Sequence, residues 1–146
     1  MKKIFASLTF LLVLGFSVSA WAELDTFLDD LNMEARADMD GFSARLGTQF
    51  GVPLQRVKAV IKSVKCPADA FIVFQLGKMS GITEAGIVQV YKANWGRGWG
   101  AIARAMGISP GSQEYHALKR GDFTFTVKPG CGPGDGMAIY VKGHDS

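Results

Sequence analysis

Residues 66–77 read CPADAFIVFQLG, and the middle of this stretch is apolar on every side. Ala70–Phe74 shows neither the two-residue period of a half-buried strand nor the 3.6-residue period of a surface helix, so it fits a buried strand or a buried central helix. The flanks favour the helix. Pro67 suits the first helical position, where its missing N–H costs nothing. Asp69 falls in the first turn, where a carboxylate meets the positive end of the helix dipole. The apolar run also continues to Gly77, which is long for a strand. A helix apolar all round belongs at the centre of a bundle.

The segments on either side read as helices that could surround it. Leu24, Leu28, Leu31, Ala35, Met39, Phe42 and Leu46 recur at intervals of three and four, the stripe of an amphipathic helix. Phe27 and Phe50 widen the stripe, Gly41 should kink or split it, and Gly51 should end it. Pro53 opens a second helix with Val57, Val60, Ile61 and Val64 inward and Arg56, Lys58, Lys62 and Lys65 outward. Thr83 can cap another helix, with Ile87, Val88, Val90 and Tyr91 facing inward and an end near Asn94. Trp99–Met106 reads as a short helix with Gly107 as its C-cap. The last helix starts at Ser109-Pro110 or Ser112 and stops at Gly121.

Beyond Gly121 the period changes to two. Phe123, Phe125 and Val127 alternate with Thr124, Thr126 and Lys128, and Met137, Ile139 and Val141 alternate with Ala138, Tyr140 and Lys142, around the glycine-rich PGCGPGDG of residues 129–136. The expected fold is therefore mainly α: a small bundle of about five or six short helices over residues 23–121. A β-hairpin or flexible extension over residues 122–146 should follow it.

The N-terminus reads as an export signal. Lys2 and Lys3 precede an apolar run from Ile4 to Val18, and Ala20-Trp21-Ala22 has the small-x-small pattern of a signal-peptidase site. The expectation is a cleaved leader over residues 1–22, a periplasmic or secreted protein and no transmembrane segment after cleavage. Cys66 and Cys131 would then meet an oxidising compartment and are candidates for a disulfide. Their spacing fits no metal or haem site, and nothing implies a cofactor. With Lys2 and Lys3 lost, 14 of the 16 basic residues stand against 13 acids. Residues 23–40 hold seven acids and one Arg, so the first helix is expected to lie on a basic body.

Residues 102–121 resemble a helix-turn-helix: Ile102-Ala103, then Gly107-Ile108-Ser109, then a helix ending Ala117-Leu118-Lys119-Arg120-Gly121. Location and charge oppose chromosomal DNA as a partner. The second helix also opens on Pro110-Gly111 and offers Gln113, Glu114, Tyr115 and His116, a poor phosphate footprint. The same region resembles small exported bacterial helical proteins of unknown function. The likeness rests on Gly98-Trp99-Gly100, Ile102-Ala103, Gly107-Ile108, Pro110-Gly111-Ser112 and His116-Ala117-Leu118-Lys119. It implies a shared helical unit and no activity.

Trp95-Gly-Arg97-Gly-Trp99 is the strongest surface candidate: two indoles beside a guanidinium could hold an anionic or flat ligand. The plainer reading is that both rings anchor a helix junction. His116, Lys119 and Arg120 complete the candidate binding set. Glu114 and His116 lie two residues apart and do not face each other on a helix, so no catalytic residue and no metal site is assigned. The leading expectation is a non-enzymatic interaction or structural protein of the envelope, with an unknown envelope protein or small ligand as partner. The alternative is a carrier of a small apolar ligand, lined by Phe27, Phe42, Phe71 and Phe74.

Overall fold

Ala70–Phe74 is helical. In the computed structural model, which describes residues 21–125 and 141–142, seven helices follow one another. They are α1 (Ala22–Ala37), α2 (Met39–Phe50), α3 (Leu54–Ser63), α4 (Pro67–Ser80), α5 (Glu84–Ala93), α6 (Trp99–Ala105) and α7 (Gln113–Arg120). Two short strands, β1 (Thr124–Phe125) and β2 (Val141–Lys142), pair antiparallel with Phe125 opposite Val141. The glycine-rich segment expected to join them, with Cys131, lies outside the described residues.

α4 is the centre. Ala68, Ala70, Phe71, Ile72, Val73 and Leu76 are fully buried, and α1, α2, α3 and α5 all pack on it. Pro67 stands at its start, and Gly81 closes it in the left-handed conformation, φ 71°. The helix runs past Gly77, which serves packing instead. A Cβ there would stand 3.1 Å from Ile87 Cδ1 and 3.2 Å from the Ile82 carbonyl oxygen, so the bare Cα lets the next helix lie close.

Phe71 is the hub of the core. Its ring centroid lies 5.2 Å from Phe27, 5.4 Å from Phe50, and 5.8 Å from both Phe123 and Phe125. Phe42 meets Phe125 at 5.3 Å and Phe74 stacks on Phe50 at 5.5 Å. The sequence suggested Phe27, Phe42, Phe71 and Phe74 as the lining of an apolar cavity; here each packs against another ring.

The long N-terminal stripe is two helices, which accounts for one more helix than expected. The break falls at Asp38, whose extended backbone (φ −152°, ψ 87°) ends α1 while its carboxylate accepts the Gly41 N–H at 2.9 Å and caps α2. Gly41 is therefore in the first turn of α2. A Cβ there would overlap the Asp38 carboxylate, so the glycine preserves the cap. The acids of this region only partly lie on basic groups. Glu34 pairs with Arg45 and Asp40 with Lys58, whereas Asp25 and Asp29 enter no ion pair among the described residues.

α6 and α7, the two helices of the segment that resembles a helix-turn-helix, are in contact and are joined by residues 106–112. Gly107 adopts φ 83°, Ala103 and Ile108 are buried, and the Ser112 hydroxyl caps α7 by accepting the Tyr115 N–H at 3.2 Å. α7 packs against α1 with Leu118 fully buried. Phe123 and Phe125 point into the core and Thr124 outward, as the alternation predicts. The Gln49 amide donates to the Thr124 carbonyl at 2.8 Å and ties β1 to α2.

Candidate functional site

A groove of about 570 Å³ opens where α1, the start of α4, the end of α5 and the α5–α6 turn meet. Its floor is a buried polar network. Asn32 projects from α1, is 8% exposed, and its side-chain oxygen accepts the Ala68 N–H at 3.0 Å. That bond satisfies one of the amides left without a partner at the start of α4. Asp69 is also buried, and Tyr91 donates its hydroxyl to Asp69 Oδ2 at 2.6 Å. The same Tyr91 oxygen accepts the Lys65 N–H at 3.1 Å. One phenol thus links α5 to both sides of the α3–α4 turn.

Burial pushes the Asp69 carboxyl above the usual range, against hydrogen bonds from Tyr91 and the Cys66 backbone. Burial, then the Asp69 hydrogen bond, holds the Tyr91 phenol well above its ordinary value, so it stays a donor. Because folding raises the Asp69 pKa, the folded chain binds that proton more tightly than the unfolded one. The associated stability is complete below the unfolded value of about 3.8 and is lost as pH rises through the folded value. Asp69→Asn keeps an acceptor for Tyr91 without the charge. It should therefore raise the urea midpoint at pH 7, with the gap to wild type closing as pH falls toward 4. A variant less stable at pH 7 would contradict this account.

Aromatic rings form the wall. Tyr91 lies 5.2 Å from Trp95 and 5.5 Å from Trp99 between centroids. Gly96 and Gly98, at φ 87° and 82°, make the tight turn that brings both indoles to the same phenol. Trp95 is 45% exposed, and the Lys65 ammonium sits 4.0 Å from its ring centroid. The rim is one face of α1: Asp25, Leu28, Asp29 and Asn32 follow helical spacing and all line the groove. Cys66, exposed at the N-cap of α4, lies at the same mouth. No disulfide occurs among the described residues.

The residues singled out in the sequence are divided between separate places. Trp95 and Trp99 share the groove. Arg97 lines a neighbouring hollow with Trp21, Trp99, Gly100, Arg104 and Tyr115, and the cation over Trp95 is Lys65. Arg97 thus shares a hollow with Trp99 and does not line the groove that the two indoles share. His116, Lys119 and Arg120 lie on α7 and do not line the groove; His116 is exposed, and Arg120 pairs with Asp122 at 3.1 Å. Sequence reasoning missed Asp25, Asp29, Asn32 and Lys65 as neighbours of the indoles. It placed Asp69 only in a helix start and Tyr91 only in the core. No cluster of three metal-ligating side chains exists among the described residues.

The neighbouring hollow is shaped by Gly100. The Trp21 and Tyr115 rings meet edge-on at 5.6 Å, and a Cβ on Gly100 would stand 2.8 Å from both a Trp21 ring carbon and the Tyr115 hydroxyl. Gly100→Val should displace Trp21 and cost about 1–3 kcal/mol. Trp21→Ala should then add little in the Gly100→Val background, a non-additivity readable in urea unfolding of the four chains.

No family model matches the chain, and neither does any curated protein or solved structure.

Proposed function

We propose that the chain is an exported, non-enzymatic binding protein of the cell envelope, and that the groove beside α1 holds a ligand or partner through a positively charged group. One observation carries the ligand class: three aromatic side chains and two acidic ones, Asp25 and Asp29, line one groove, and the Lys65 ammonium, although it lies over the Trp95 ring, is not among the lining residues. Aromatic faces are negative and attract cations, most strongly where water is partly excluded. Nearby carboxylates add attraction at a rim that remains solvated. The Lys65 ammonium over Trp95 is an instance of that attraction within the fold. A quaternary ammonium suits the site best, because it is weakly hydrated and needs no hydrogen-bond acceptor.

Export is supported by Lys2-Lys3, the Ile4–Val18 run and the small residues Ala20 and Ala22. No helix among the described residues is long and apolar enough to cross a membrane. In the same reading, Cys66 pairs with Cys131 once exported.

The test is tryptophan fluorescence titrated with choline, with its neutral isostere 3,3-dimethylbutanol, and with glutarate. Saturable quenching by choline alone is the expected result. An equal response to the neutral isostere would move the reading to an apolar-ligand carrier, and a response only to glutarate would overturn the charge argument.

A further inference from the structure

The expected leader cut after Ala22 would remove part of the fold described above. Trp21 is half-buried in the hollow over Gly100, edge-on to Tyr115. Its carbonyl accepts the Asp25 N–H at 3.0 Å, and the Ala22 carbonyl accepts the Thr26 hydroxyl at 2.9 Å. Losing both residues would take away the N-cap and first residue of α1, together with two acceptors and one aromatic contact. It would also uncover the side of Gly100 that Trp21 covers, leaving Tyr115 on the other. A glycine at position 100 is required by Trp21 and Tyr115 together, since a Cβ would collide with both.

A second cleavage pattern lies two residues upstream. Val18-Ser19-Ala20 places Val at −3 and Ala at −1 of a cut after Ala20, compatible with the small-residue preference of the peptidase. We propose that the leader is removed after Ala20, so that Trp21 is the first residue of the mature protein and a structural part of it. Hydrolysis of the Ala20–Trp21 bond by one water leaves a carboxylate on Ala20 and an α-amino group on Trp21. The new ammonium falls at the positive end of the α1 dipole, an unfavourable place for it. Glu23 and Asp25, both in the first turn, offset that charge. The cut also spares the first turn of α1, whereas a cut after Ala22 falls within it.

This inference rests on the export reading, and intact mass separates the two. The full chain is expressed with its leader in a bacterial host, and the protein is recovered from the periplasm or medium. The mass of residues 21–146 is the expected result. The mass of residues 23–146 would overturn the proposed cut while leaving export standing. An unprocessed chain confined to the cytoplasm would overturn export and the cut together. Ala22→Leu gives an independent arm. It occupies −1 of a cut after Ala22 but lies beyond a cut after Ala20. Processing should persist in this variant, and accumulation of the unprocessed precursor would overturn the proposal.

Discussion

Phe71→Ala should cost about 3–5 kcal/mol of folding stability, a large part of the roughly 5–15 kcal/mol that holds a domain together. The ring is fully buried and touches rings from α1, α2 and the segment after α7. Removing it leaves a cavity among rigid aromatics that cannot collapse into the space, which puts the loss toward the high end. Urea unfolding should show a midpoint lower by about 2 M or more, at a slope typical of small domains. Phe71→Leu retains most of the apolar volume and should cost much less. Near-equal losses for the two variants would argue against a ring-centred core.

Choline-like ligands should bind about tenfold more weakly to the Asp25→Asn/Asp29→Asn double variant at low salt, from the loss of two charges at the groove. The difference should shrink as salt rises, because the Debye length falls to about 3 Å at 1 M. Trp95→Ala should weaken binding about fivefold, since a partly exposed cation–π contact is worth about 1 kcal/mol. Trp95 is 45% exposed, so its loss should leave the unfolding midpoint nearly unchanged and keep the binding result interpretable. Arg97→Ala should leave choline binding intact. An equal loss in Arg97→Ala and Trp95→Ala would restore the contiguous Trp–Arg–Trp platform as the site. Isothermal titration at two salt concentrations reads all of these outcomes.

The helical character of α4 was legible because its start carries chemical signals, Pro67 and Asp69, and because its apolar run is long for a strand; its end at Gly81 was not read. Its interior alone was ambiguous. Gly41 marked the split in the N-terminal stripe to within three residues, but its place at Asp38 was hidden, because Ala35, Met39 and Phe42 keep helical spacing across it. The useful signal was Asp38 as a capping carboxylate, with Gly41 in the turn it caps. The groove was legible only where it is local, at Trp95 and Trp99. Asp25, Asn32, Asp69 and Tyr91 come from three helices. Only the packing of α1 and α5 on the start of α4 brings them together. Arg97 shows a partial error in the other direction: it shares a hollow with Trp99, but it does not line the groove that Trp95 and Trp99 share.

The Asn32 bond to the start of α4 has a consequence for the order in which the protein forms. The two partners lie 36 residues apart, so one amide in the first turn of α4, that of Ala68, takes its side-chain partner from distant sequence. Until α1 arrives, it is an apolar rod with an uncapped end, prone to stick to other chains. A chain that emerges N-terminus first solves this by timing. α1 is already outside when α4 appears, and the cover waits for the surface it must protect. A circular permutant beginning at α3 would reverse that order. It could reach the same final structure, but with a longer interval in which the most apolar helix is bare.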